Sequence, residues 1–261
     1  MTVQNIAQGQ MSGAMMRVAS GMRVNSARDD AAGLAIMETM TAQVRGLDQG
    51  TRNTRDMQAL ANTAEGGLAT VSDSLQRVRE LSVQAANDTA TPRQREIINQ
   101  EIQQLAEGIE AAVGNTQYNG MNLLDGGGQG LHLASNADGT GMTVNVADMS
   151  GIAQAIANYN VTGSFDIGQV DAALDQVSDA RASLGAYSNR MDYTARSNDI
   201  SSVNLQDARS RVGDANMALE MMNVNQESVI NQMQILLQRQ NQDNAQQQSQ
   251  LLRSPGAAGV R

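Results

Sequence analysis

An apolar stripe with spacings of three and four runs through Met57, Leu60, Ala64, Leu68, Val71, Leu75, Val78 and Leu81. That period puts every member on one face of an α-helix, the pattern of a coiled-coil seam. It predicts a helix over 41–86, about 65 Å long at 1.5 Å per residue, which is too long to be wrapped inside one globule. Such a helix needs partners along its whole length. Pro92 and Pro255 are the only prolines, so little interrupts helical structure before the last residues. Aromatic residues make up only 2% of the chain. Burial must therefore come from many small aliphatic side chains spread along seams.

Asn87–Ala90 reads as a polar break. Thr91, Pro92 and Gln94 then spell an N-cap, a first-turn proline and a capping box, opening a helix over 91–114. Its stripe is Ile98, Ile102, Leu105, Ile109 and Val113, and it is expected to fold back antiparallel on the first helix. A third seam, over 168–212, runs through Val170, Leu174, Val177, Leu184 and Met191, with Arg181 interrupting it. Between the second and third helices, residues 117–165 are rich in Gly, Asn, Thr and Ser. Asn119-Gly120 and Asp138-Gly139 mark turns, and Leu131–Leu133 and Met142–Val146 read as short strands, which predicts a small β-hairpin region.

The two chain ends are alike: 1–22 bears Met and Gln in a helical pattern, and 217–252 is a Gln- and Asn-rich helix carrying Val229, Ile230, Met233, Ile235, Leu236 and Leu237. Neither has enough bulky apolar surface to fold alone, because isolated helices are marginal in water. Both are expected to order only among neighbouring copies, with Met supplying an adaptable packing surface. The fold class is mainly α: a long antiparallel helical hairpin or coiled-coil bundle with a small β-hairpin region and paired terminal helices.

All 18 basic residues are Arg, and there is no Cys. Without Lys there is neither a P-loop lysine nor a Schiff base. Without Cys there is no thiolate nucleophile, disulfide or cysteine zinc site. His132 is the one imidazole. No catalytic, cofactor-binding or metal-ligating residues are expected, and no enzyme. A net charge of −9 argues against a nucleic-acid surface and against docking on anionic lipid. The first residues lack a basic n-region and a sustained apolar run, and no apolar stretch approaches membrane-spanning length. Export would then follow a route other than the general secretory one, with no membrane insertion.

Several ordered segments carry a resemblance. Ser20–Leu34, Gln43–Gly46, Gly66–Leu68, Leu75–Leu81 and Thr116–Leu124 resemble the N-terminal signature of bacterial flagellins. Leu184–Met191, Ala208–Arg211 and Asp214–Ala218 resemble the distal one. The likeness covers most of the chain outside the middle segment, which is too short for the outer domains of larger flagellins. It therefore implies a core-only form. It implies a terminal-helix domain and spoke over 1–34, a rod domain over 35–212, and a C-terminal terminal-helix domain and tail over 213–261. Relative to the family pattern the segment ahead of Ser20 is short, and Ser254–Arg261 extend past Leu251-Leu252-Arg253.

The function implied is that of a structural subunit of the flagellar filament, self-assembling into a helical tube for motility. The nearest rival is a hook–filament junction protein of the same family, and the more distant one a chemoreceptor-type signalling coiled coil. Implied partners are copies of itself, an export chaperone, and the filament cap and hook-junction proteins. The implied location is an extracellular filament reached by type III export; Gly185–Tyr193 resemble spirochaete flagellins, which keeps a periplasmic filament open. The family's contacts with a flagellin-sensing vertebrate Toll-like receptor fall on Arg77, Leu81 and Glu101, with Gln76 and Gln84 nearby. That patch is read first as a contact between subunits. The expected polymerisation seams are Leu68, Val71, Leu75, Val78, Ile98, Ile102, Leu105, Leu174, Val177, Leu184, Ile230, Met233 and Leu237.

Other conspicuous groups have plainer readings. Gly126–Gly130, with no Lys following, is a flexible turn rather than a phosphate cradle. Asp29-Asp30 reads as a cap or turn, since adjacent carboxylates rarely face one target. His132 is a hairpin residue facing solvent or neighbours. Arg77/Arg79 and Arg93/Arg95 are read as ion-pairing faces between subunits.

Overall fold

The computed structural model describes residues 2–253, with side chains placed from Met11 to Ser249. The extension Ser254–Arg261 lies outside the described residues. In order, the elements are α1 (Thr2–Ser20), α2 (Ala31–Ala85), α3 (Pro92–Asn115), β1 (Gln117–Tyr118), β2 (Met121–Asn122), β3 (Leu131–Ala134), β4 (Gly141–Val144), α4 (Ser150–Ala157), α5 (Gly168–Gly213) and α6 (Met217–Arg253). The chain divides into two compact units, 42–205 and 1–41 together with 206–261, so the division falls within α2 and α5.

In the unit 42–205 the expected stripes meet one another. Leu68, Val71, Leu75, Val78, Ile102, Ile109, Val170, Val177 and Met191 are fully buried in one contiguous core with Ile98 and Leu184; Leu105 and Leu174 pack partly buried against it. Each fully buried Leu, Ile or Val contributes on the order of 1.5–3 kcal/mol. The antiparallel register of α2 and α5 is visible in their cross-pairs. Arg79 meets Asp171, Glu65 meets Arg181, Gln58 meets Asp192, Thr51 meets Asp199 and Asp48 meets Ser202: as one number falls the other rises. Between residues 48 and 58 this seam is polar. Thr51, Thr54, Asn198 and Ser202 are buried there, and Thr54 satisfies its hydroxyl on the Gly50 carbonyl at 2.7 Å.

Apolar spacing places the start of α2 too late. The helix begins at Ala31, not near 41. Asp30 Oδ1 accepts the Gly33 N–H at 2.8 Å, an N-cap well ahead of the stripe that begins at Met57. Asp29 closes the preceding turn, its Oδ2 accepting from the Asn25 and Ser26 amides and the Ser26 hydroxyl. These hydrogen bonds, led by the Ser26 hydroxyl, hold its carboxyl below the usual carboxylate range. The reading of Asp29-Asp30 as cap and turn agrees with the structure. So does the Thr91 capping box: Thr91 accepts from the Gln94 N–H at 3.3 Å and Gln94 Oε1 accepts from the Thr91 N–H at 2.9 Å.

The middle segment holds two antiparallel hairpins. β1–β2 turns at Asn119 (φ 50°) and Gly120 (φ 77°), the left-handed pair that a two-residue hairpin of matching twist requires. β3–β4 pairs Leu131 with Val144 through Ala134 with Gly141. Its tip rests on α2 at Gly46 and Gly50, where the Ala134 carbonyl accepts from Asn53 at 2.9 Å and the Ser135 carbonyl from Asn198 at 2.7 Å. A Cβ at either glycine would strike the tip, so these positions work by having no side chain.

Two expectations for this segment need correcting. A helix, α4, buries Ile152, Ala153 and Ile156 beside α3, and at eight residues it is too short for a periodic signal. Gly126–Gly130 is a packed turn instead of a flexible one, because Gly127 and Gly128 lie against the Asn122 and Leu123 carbonyls, leaving no room for a side chain.

In the other unit α1 packs on α6. Ala14 is fully buried, Arg17 pairs with the nearly buried Glu220 at 3.1 Å, and Asn231 reaches the Met11 sulfur at 3.8 Å. The connections at the base pair directly: the Ala215 amide donates to the Gly21 carbonyl at 2.9 Å and the Arg23 amide to the Gly213 carbonyl at 2.6 Å.

Candidate functional site

Two surfaces were expected to matter, and the structure treats them differently. The first is on the α2–α3 hairpin. Arg77 is exposed, its Nη2 2.7 Å and its Nε 3.0 Å from Glu101 Oε1, while Nη1 reaches Glu80 at 3.1 Å. Glu101, and after it Glu80, hold the guanidinium above its usual range. Gln76 and Gln84 are also exposed, but Leu81 is not: at 2% exposure it belongs to the core. The reason is geometric, since Leu81 continues the stripe through Val78 and Leu75 whereas Arg77 lies on its edge.

A surface patch of Gln76, Arg77, Gln84 and Glu101 therefore exists, without Leu81. The apolar groups that do reach solvent nearby are Val83 and Ile97, exposed at 52% and 58%. Ile97 and Gln84 line a groove of about 320 Å³ with Asn87, Thr89, Ala90, Gln94 and Ile98. A signal for both was present in the sequence: Val83 falls off the stripe between Leu81 and Ala85, and Ile97 precedes the stripe residue Ile98.

Most of the arginines read as pairing faces between subunits find partners in their own chain. Arg77 pairs with Glu80 and Glu101, and Arg79 with Asp171 at 2.6 Å, all within one chain. Arg95 reaches the Asn87 carbonyl at 3.5 Å. Exposed pairs of this kind contribute about 0–1 kcal/mol each. His132 is solvent-facing, its Nε2 3.3 Å from the Gly139 carbonyl.

The second surface is the apolar face of the terminal helices. Leu219, Met222, Val229, Ile230, Met233, Leu236 and Leu237 share one face of α6, with Met221 and Ile235 on its other side, and all are exposed by more than two-fifths, as are Met15 and Met16 on α1. Scattered apolar surface residues are ordinary; a run of this length along one helix is not. This divides the expected polymerisation seams. Leu68, Val71, Leu75, Val78, Ile98, Ile102, Val177 and Leu184 are buried in the chain's own core, with Leu105 and Leu174 partly so, because the helices of one copy cover each other's stripes. The fully buried ones have no face to offer another copy. Ile230, Met233 and Leu237 remain open.

Among the described residues, no group of three His, Cys, Asp or Glu side chains is placed to hold a metal ion, and no helix is long and apolar enough to cross a membrane. Closed internal seams, capped helix connections and an open apolar face on the end helices define a helical structural protein.

Comparison with known proteins gives this class its family. Residues 1–129 match the bacterial flagellin N-terminal helical region, and residues 167–252 the bacterial flagellin C-terminal helical region. A flagellin of Halalkalibacterium halodurans is 41% identical over 256 residues, covering 95% of this chain and 93% of that protein. Flagellin FlaB1 of Treponema pallidum is 36% identical over 237 residues, covering 83% of each, and a flagellin of Bacillus subtilis is 36% identical over 280 residues, covering 92% and 91%. The crystal structure of Bacillus cereus flagellin superposes with a TM-score of 0.51 at 29% identity, covering 56% of this chain and 88% of that one. The chain belongs to the bacterial flagellin family, in a short, core-only form.

Proposed function

We propose that this chain is a structural subunit of the bacterial flagellar filament, built for motility and carrying no catalytic role. The observation that carries this reading is the open apolar face of α6 in a chain of this family. The rod unit completes its own core, while the terminal helices leave large aliphatic and Met side chains in water. Burying that face among many copies offsets the conformational entropy of ordering long helices. Within one copy α1 and α6 already pack as helices, and assembly adds the cover that their apolar face lacks. Relatives whose names include flagellin and flagellar filament core protein favour the filament over the hook–filament junction.

The same reading places the subunit in an extracellular filament, exported by the flagellar type III route, with an export chaperone, the filament cap and the hook-junction proteins as partners. For the Toll-like receptor, the surface on offer is Arg77 and Glu101 with Gln76 and Gln84, and Leu81 is withdrawn into the core. A pull-down comparing wild type with Arg77→Ala tests that patch; equal binding would remove it from consideration.

The main test is reassembly. Protein dissociated in acid, returned to neutral buffer with short filament seeds and imaged by electron microscopy, is expected to form tubes of uniform diameter. A chain that stays monomeric at every concentration and with seeds would refute the filament reading.

A further inference from the structure

The methionines are divided between the two units in a way their number alone does not reveal. Of 16 in the chain, those in the unit 42–205 are sheltered. Met142, Met149 and Met191 are buried, and Met57 and Met121 pack partly buried against the core. Among the described residues every exposed methionine belongs to the terminal unit: Met15 at 52%, Met16 at 62%, Met22 at 36%, Met217 at 43%, Met221 at 52%, Met222 at 65% and Met233 at 58%. Most of them lie on the helices whose apolar face is open. Leu or Ile would fill the same face without presenting a reactive atom. A thioether in water is open to two-electron oxidation, and the sulfoxide that results is polar and no longer suits an apolar contact.

We infer that the terminal-helix methionines, Met15, Met16, Met221, Met222 and Met233 foremost, form a reversible oxidation site through which peroxides block assembly of unpolymerised subunits. This rests on the filament reading above. In the step itself a sulfur lone pair attacks one oxygen of the peroxide, forming the S–O bond as the O–O bond breaks. The departing hydroxide takes the proton of the sulfur-bound hydroxyl and leaves as water, and the neutral sulfoxide remains. Sulfur is oxidised by two electrons, the peroxide is reduced, and no further co-reactant is required. The chain has no Cys to compete for the oxidant, so methionine sulfur is the most readily oxidised group it contains. Assembly would bury these sulfurs, so a subunit is sensitive before it joins the polymer and shielded after.

The test uses the full chain, hydrogen peroxide as oxidant, peptide mapping by mass spectrometry and seeded assembly measured by sedimentation. Monomer is expected to gain one oxygen at each of the five terminal-helix positions while Met142, Met149 and Met191 stay unmodified. Assembly yield is expected to fall by about tenfold or more, and to return after treatment with methionine sulfoxide reductases acting on both epimers and a dithiol, which is oxidised to its disulfide as the sulfoxide oxygen leaves as water. The variant with Leu at Met15, Met16, Met221, Met222 and Met233 should assemble equally well with and without peroxide. Filaments treated after assembly should show these positions protected. Oxidised monomer that assembles as well as untreated monomer would overturn the inference, as would oxidation of the buried three at the same rate. Failure of untreated protein to assemble would instead strike the filament reading, and the two failures are distinguished by that control.

Discussion

Leu68, Val71, Leu75 and Val78 on α2, and Ile230, Met233 and Leu237 on α6, are written with the same spacing of three and four, yet the first four are fully buried while the last three are exposed at 44–58%. The two regions differ in what lies opposite. Along α2 the stripes of α3 and α5 arrive from the same chain, and the resulting core is complete in one copy. α6 meets α1, whose sequence offers small and polar residues along with its methionines, and one narrow partner leaves most of the apolar face of α6 uncovered. Periodicity therefore reports that a helix has an apolar face and is silent about whether the chain itself supplies the cover. In the rod unit that face yields stability; in the terminal unit it yields an unsatisfied surface, and on that surface the proposed assembly depends.

The comparison can be broken at its strongest point by exchanging the consequences. Leu237→Asp, with Ile230→Asp as a second variant, should leave the thermal unfolding of the rod core where it is and abolish seeded assembly, read by sedimentation and microscopy. A drop in the unfolding temperature with assembly intact would reverse the roles assigned to the two regions. Leu75→Ala or Ile102→Ala should do the opposite, costing about 2–5 kcal/mol of stability in denaturant unfolding through lost burial and a residual cavity. Next in size is Gly128→Ala. Its Cβ would meet the Leu123 carbonyl at 2.6 Å and Val146 at 2.7 Å, and the expected loss is about 1–3 kcal/mol. Thr91→Ala removes the acceptor for the Gln94 amide and should cost about 1 kcal/mol, seen as faster amide exchange in the first turn of α3.

The smallest expected effect is on pH dependence. Asp29, Asp138 and Asp148 are each held below the ordinary carboxylate range, chiefly by hydrogen bonds from the hydroxyls of Ser26, Thr140 and Ser150. A depressed acid contributes stability above its unfolded value, near pH 3.9 for Asp. That contribution is lost as pH falls through the lower folded value. NMR titration of Asp29 should place its midpoint below that of a free Asp, and Asp29→Asn should remove the corresponding acid-side loss. A midpoint at or above the free value would show that the Ser26 turn does not favour the charged form.

Much of this architecture was legible without coordinates, and the reasons are local. The capping box at Thr91–Gln94, the positive-φ turn at Asn119-Gly120 and the stripes of α2, α3 and α5 are each specified by a few neighbouring residues. What escaped notice was either short or polar. α4 occupies eight residues, less than a periodic pattern needs to declare itself, and the first half of α2 meets α5 through Asp48 and Thr51, where apolar counting sees nothing. Gly46 and Gly50 take their role from the β3–β4 tip that rests on them, which comes from a distant part of the chain.

The candidate surfaces divide in the same way. By itself the sequence determined the helices, their caps, the family likeness and the absence of Lys and Cys, because propensity, period and chemistry are carried residue by residue. Tertiary structure alone decided that Leu81 is core and Arg77 surface, that the arginine pairs close within one chain, and that the rod stripes are covered while the α6 face and its methionines are not. Exposure depends on what lies across the contact, and for most of these residues that neighbour comes from a distant part of the chain.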